Sequence, residues 1–195
     1  SIALDTIETP FGRVEDALGG SATYFSLAAG LFDEVRLVGV IGEDFPDAYR
    51  ALFADRGIRT EGLYVAPGRT FRWSGAYRGA MNEAETLAVE LNVFGSFEPR
   101  IPVSFADSRY VFLANGSPRV QRAVREQFPS AALVVCDTMN YYITNALAEL
   151  KALIAEVDGL VLNDQEARML TGSQVLVDAG RRIIDMGPGF VVIKK

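Results

Sequence analysis

Five short apolar runs, each rich in β-branched residues, recur along the chain with amphipathic stretches between them. They are VRLVGV (35–40), YVFLA (110–114), ALVVC (132–136), GLVLN (159–163) and FVVIK (190–194). Unbroken apolarity over so short a length suits strands of a parallel sheet buried on both faces. Between two of them, YITNALAELKALIAEV (142–157) sets Ile143, Leu147, Leu150, Ile154 and Val157 at helical spacing, one apolar stripe. Helical segments 43–57 and 174–187 close on Arg56-Gly57 and Gly187-Pro188, both stop signals. This alternation, with right-handed crossovers, predicts a three-layer α/β/α sandwich around a mostly parallel central sheet. A single domain over 1–195 is expected. Ser1–Asp5 reads as the tail of a strand and Lys195 stops just after one, so the domain is expected to be incomplete at both ends.

One region breaks that rhythm. In 69–94, Phe71, Trp73 and Tyr77 alternate with Arg72, Ser74 and Arg78, and Leu87, Val89, Leu91 and Val93 alternate likewise. The period of two predicts an antiparallel hairpin inserted into the α/β pattern, with Gly79 to Glu83 as its turn. Its aromatic face suits either an extra sheet edge or oligomer contact, or a lid closing over a ligand.

Composition narrows the chemistry. The chain has no histidine, so neither a Ser-His-Asp triad nor a His-based metal site can exist in it. A net charge of −6 argues against a nucleic-acid partner, which needs a basic face. No apolar run approaches a membrane span, so no membrane partner is expected. The lone Cys136 reads as a small buried residue, and a reducing cytoplasm is the expected compartment.

In open α/β sheets, ligands bind beyond the carboxyl ends of the strands. The polar residues there are Asp5, Asn115, Asp137 and Asn140, and Asn163 with Glu166. Asp and Asn also suit strand-to-helix turns for their own reasons. Asn163-x-x-Glu166 shows the ambiguity best. It forms a capping pair, and the same spacing would let an amide and a carboxylate hold the water shell of Mg²⁺ beside a nucleotide phosphate. LGGSATYFSLAAGLF (18–32) puts two glycines before a helix bearing Tyr24, Leu27, Ala28 and Leu31. Glycines permit close backbone approach, and a helix N-terminus attracts anionic groups. Neither a Walker loop nor a dinucleotide G-x-G-x-x-G occurs.

Together these pieces resemble the ribokinase-like (PfkB) family of carbohydrate and nucleoside kinases. Four segments carry the likeness in the family's order: ALD (3–5); LGGSATYFSLAAGLF with VRLVGVIGEDFPDAY; VVCDTMNYYI; and VDGLVLNDQEARMLTG. The resemblance implies transfer of the ATP γ-phosphoryl group to a hydroxyl of a sugar or nucleoside, with ATP and Mg²⁺ as cofactors. It implies that Asp5 binds substrate hydroxyls, and that Gly19 and Gly20, with Ser21 and Tyr24, line the substrate pocket. Asn115, Asp137 and Asn140 complete the substrate side. Asn163 and Lys194 would serve the nucleotide, and Glu166 the metal. Residues 69–94, with parts of 5–16, fall where the family inserts its β lid. That lid's apolar face leaves a homodimer open.

Two departures stand out. Tyr24 lies near the place where the family usually carries an Asn, which favours a bulkier, more apolar pocket, such as one for a nucleoside. The family's Gly-Ala-Gly-Asp segment, source of the anion hole and the catalytic base, does not occur in these residues. The expectation is therefore a substrate-and-lid portion with no catalytic residue of its own, inactive alone. The alternative is a non-catalytic small-molecule-binding domain of the same fold.

Overall fold

A computed structural model of the chain describes residues 1–79, 81 and 84–195. It is a mixed α/β structure with parallel sheets, and it divides into two compact units, Ser1–Arg100 and Ile101–Lys195. No helix among the described residues is long and apolar enough to cross a membrane.

The first unit runs β1 (Ala3–Thr9), β2 (Gly12–Gly19), α1 (Ser21–Ala29), β3 (Arg36–Gly42), α2 (Asp47–Asp55), β4 (Arg59–Ala66), β5 (Arg72–Tyr77) and β6 (Ala84–Glu90). Strands β3 and β4 pair in parallel, with α2 as their crossover. The other four form a sheet of order β2-β1-β5-β6, parallel only between β1 and β5. The expected hairpin strands are thus β5 and β6, paired antiparallel. Of their expected turn, residues 80, 82 and 83 lie outside the described residues.

Two expectations need correction here. Asp5 does not end its strand, because β1 continues to Thr9 by pairing with β2 on one side and β5 on the other. In α1 the buried residues are Ala22, Thr23 and Ser26, while Tyr24 and Leu31 of the expected apolar face are exposed. Small residues let this helix pack closely, and its aromatic side is left outward.

The second unit runs β7 (Tyr110–Leu113), α3 (Pro118–Glu126), β8 (Leu133–Asp137), α4 (Asn140–Asn145), α5 (Leu147–Ile154), β9 (Gly159–Asn163), α6 (Asp164–Thr171), α7 (Leu176–Ile184) and β10 (Phe190–Lys194). Its sheet is parallel throughout, in the order β10-β9-β8-β7. Its core gathers Cys136, Leu150, Leu153, Ile154, Leu160, Leu162 and Ile183, all fully buried. Each such aliphatic contributes about 1.5–3 kcal/mol of transfer free energy. The helix expected over 142–157 is two helices. At Ala146 the backbone turns to φ −141°, ψ 36°, and Asn145 bonds back to the Tyr141 carbonyl at 2.8 Å. Leu147 therefore leaves the stripe and is exposed, while Leu153 joins the core.

Candidate functional site

In the first unit the sequence-predicted residues Asp5, Gly19, Gly20, Ser21 and Tyr24 come together around β1. The pairing of Ala3 with Gly19 puts the Asp5 carboxylate over the backbone of Gly19, where an added Cβ would fall 2.0 Å from Asp5 Oδ2. With the carboxylate in that position, only glycine leaves room for it. Asp5 is 9% exposed and its Oδ1 is buried with no hydrogen-bond partner. Loss of water pushes its carboxyl up to about 6. A buried polar atom with no partner is costly, and such groups concentrate where a ligand completes the set.

The chain bends beside this carboxylate. Register slips between Asp5 and Ile7, with Asp16 of β2 at φ 53°. Such a bulge re-aims neighbouring side chains. Arg72 of β5 holds it, pairing with the Asp16 carboxylate through one arm and with Asp44 at 2.8 Å through the other. The other oxygen of Asp44 accepts from the amide and hydroxyl of buried Thr70, both at 2.7 Å. Nothing in the sequence pattern singles out Asp44; its partners lie 26 and 28 positions away, beyond any local pattern.

Gly20, at φ 91°, passes the chain from β2 into α1, and an added Cβ there would meet the Ser1 carbonyl at 2.5 Å. The first amides of α1 are partly spent, since Ala22 donates to that same carbonyl. The hydroxyls of Ser21 and Thr23 are buried without partners. Tyr24 donates to the Leu18 carbonyl at 3.4 Å. Its phenol is raised by partial burial, then by the charge of Asp5 and by Tyr77. Tyr77, expected only as part of an aromatic face, therefore belongs to the same neighbourhood.

In the second unit the parallel register lines up the carboxyl ends of the strands, pairing Lys194 with Asn163 and Asp137 with Val161. Asp137 is 7% exposed, and its Oδ1 lies 3.9 Å from Lys194 Nζ. Burial raises its pKa, opposed by Lys194 and by the amides of Thr138 and Asn115. Asn163 and Glu166 form a complete capping box: Asn163 Oδ1 accepts from the Glu166 amide, and Glu166 Oε2 from the Asn163 amide, both at 2.7 Å. Glu166 is buried, which raises its pKa. The Asn163 amide opposes that rise, Asp137 adds to it and Lys194 opposes it. Asp137, Asn163, Glu166 and Lys194 are thus brought together. Asn115 half-joins them through its amide, its side chain donating to Met139 Sδ at 3.1 Å. Asn140 stands apart, exposed, with Oδ1 on the Tyr141 amide at 2.8 Å.

Sequence reasoning missed Gln121. Buried on α3, its Nε2 donates to the carbonyls of Leu113, Ala114 and Asp137 at 2.9, 3.1 and 2.8 Å, tying the ends of β7 and β8 together. Among the described residues no three His, Cys, Asp or Glu side chains converge to hold a metal ion. The donor set fits instead a hydrated Mg²⁺ shared with phosphates, which needs only one or two carboxylates.

No family model matches the chain. A cytidine kinase from Thermococcus kodakarensis is 27% identical over 200 residues, spanning all of this chain and 70% of the relative. Among solved structures, a putative ribokinase II from E. coli superposes with a TM-score of 0.77 at 14% identity, covering all of this chain and 70% of that one. A fructokinase from Vibrio cholerae, bound to fructose, ADP and calcium, gives 0.75 at 15% identity, over 100% and 68%. A nucleoside kinase from Burkholderia thailandensis, bound to inosine, gives 0.73 at 17%, also over 100% and 68%.

Proposed function

From the premise that the chain has the ribokinase-like fold, and resembles sugar and nucleoside kinases along its whole length, we propose that it takes part in ATP-dependent phosphorylation of a sugar or nucleoside hydroxyl. The observation that carries this is Asp5, a carboxylate nine-tenths buried whose Oδ1 lacks a protein partner. An ionised carboxylate accepts hydrogen bonds from two vicinal hydroxyls, and such charge-assisted bonds orient the acceptor. Gly19 is required beneath it because any side chain would displace the carboxylate.

The end of the second unit's sheet suits the donor nucleotide. Lys194 and the Asn163 side chain would meet phosphate oxygens, and Glu166 with Asp137 would hold the water shell of Mg²⁺. The bound ion would supply charge neutralisation of the phosphates. Asp5 and Asp137 are assigned to binding. The resemblance gives proton removal to a Gly-Ala-Gly-Asp segment, and that segment does not occur in these 195 residues. The chain therefore contributes acceptor positioning and part of the donor site.

The test is a screen, with ATP and Mg²⁺, of the protein as its gene encodes it against sugars and nucleosides. A phosphorylated product whose formation falls with Asp5→Asn is expected. Asp5-dependent binding without any phosphorylated product would favour a non-catalytic binding domain instead.

A further inference from the structure

The sheet β2-β1-β5-β6 carries a second side chain laid over a glycine. Trp73 folds its indole across Gly75, where an added Cβ would fall 2.0 Å from the ring. Its Nε1 donates to Thr86 Oγ1 at 3.3 Å, fixing the ring's edge, and the residue remains half-buried. The ring therefore lies flat on the sheet and turns its outer face away from it. Parallel pairing sets Trp73 directly beside Asp5, and alternation puts Gly75 and Tyr77 on that same face. One face thus holds a buried carboxylate oxygen lacking a partner and, one strand away, a flat aromatic platform.

Neighbouring strands are about 4.8 Å apart. That is close to the offset between a ribose ring and the base it carries. A free sugar would use the carboxylate and leave the indole uncovered. A nucleoside would use both, its hydroxyls on Asp5 and its base stacked on Trp73, which every base can do through its π-face. Resting on the acceptor site proposed above, we infer that Trp73, held flat by Gly75, is the residue that selects a nucleoside over a free sugar.

Trp73 is the only tryptophan of the chain, so its fluorescence reports on this face alone. Cytidine, inosine, ribose and fructose are titrated into the protein while its emission is recorded, and binding is measured in parallel by calorimetry. A nucleoside is expected to quench the emission saturably, and the free sugars to leave it unchanged. Trp73→Ala should weaken nucleoside binding roughly 5- to 100-fold, with Trp73→Phe recovering most of the loss. Gly75→Ala should reproduce it, because the atom it displaces is the far end of a side chain and the sheet can remain folded; circular dichroism checks this. Nucleoside binding with unchanged emission, and within twofold of wild type in Trp73→Ala, would overturn the inference and leave the phosphorylation proposal intact. Binding of neither class would remove the acceptor site itself. Emission that shifts with protein concentration, as the protein self-associates without ligand, would overturn the inference in favour of a second copy covering this face.

Discussion

The two groups of candidate site residues differ in how far the protein satisfies them. In the second unit every charged member has a local partner: Glu166 and Asn163 complete a helix cap, and Asp137 receives two amides and faces Lys194. In the first unit Asp5 is equally buried, yet its Oδ1 has no partner. A satisfied polar group is explained by folding before any ligand is invoked. An unsatisfied one costs stability and points to a ligand that makes good the loss. The difference predicts that removing the charge of Asp5 stabilises the fold above about pH 6, whereas removing a partnered group of the second unit leaves stability unchanged or lowers it.

Asp5→Asn is the sharpest way to break that contrast. Losing charge-assisted bonds to substrate hydroxyls should lower kcat/KM roughly 100-fold. Stability should move the other way. A carboxyl raised from 3.8 to about 6 on folding binds protons more tightly in the native state. The stability it contributes is thus present below about pH 4 and lost as pH rises through about 6. Asparagine carries no such penalty, so the variant should be more stable above pH 6, by on the order of 1–2 kcal/mol since water still reaches part of the carboxyl. Urea denaturation from pH 4 to 8 measures both slopes. A variant destabilised at pH 7.5 would make Asp5 an ordinary structural residue and end the contrast.

Gln121→Leu should cost about 2 kcal/mol, because buried carbonyls at the ends of β7 and β8 lose their donor. The midpoint in urea reads the loss. A change below about 0.5 kcal/mol, the usual scatter of surface substitutions, would show that the strand ends hold without it.

Which parts of this molecule are legible in sequence follows from the range of the interactions. The five apolar runs became strands β3, β7, β8, β9 and β10 because their β-branched residues meet a two-sided or edge environment whatever else surrounds them. Asn163 and Glu166 were legible because a cap spans three residues. The continuation of β1 past Asp5 was not, since its hairpin to β2 is local but Thr6, Ile7 and Glu8 also pair with Ser74, Gly75 and Ala76 of β5, far along the chain. Arg72, which reaches Asp16 across 56 positions, and Gln121, a polar residue turned inward from an arginine-rich helix, carry no periodic signal. In the candidate site, the strand-end carboxylates were visible in sequence, and the side chains that hold their surroundings in place were not.

Glu166→Gln separates the two roles of the second group. The amide oxygen of glutamine can still accept from Asn163, so the cap and the stability should survive within about 0.5 kcal/mol. The charge beside Asp137 is gone, and the Mg²⁺ concentration for half-maximal phosphorylation should rise roughly tenfold. An unchanged Mg²⁺ requirement would reduce Glu166 to a cap.

Asn163 carries the smallest expected effect and the cleanest separation. Asn163→Ala removes the acceptor for the Glu166 amide and should cost about 1 kcal/mol. Asn163→Ser should restore that loss, because a serine hydroxyl caps about as well as the amide oxygen. Serine is shorter and lacks the two N–H donors that would meet a phosphate. If Asn163 also serves the nucleotide, the serine variant recovers the urea midpoint while its KM for ATP stays raised severalfold. If both recover together, capping accounts for Asn163 entirely, and nucleotide recognition at this end of the sheet falls to Lys194.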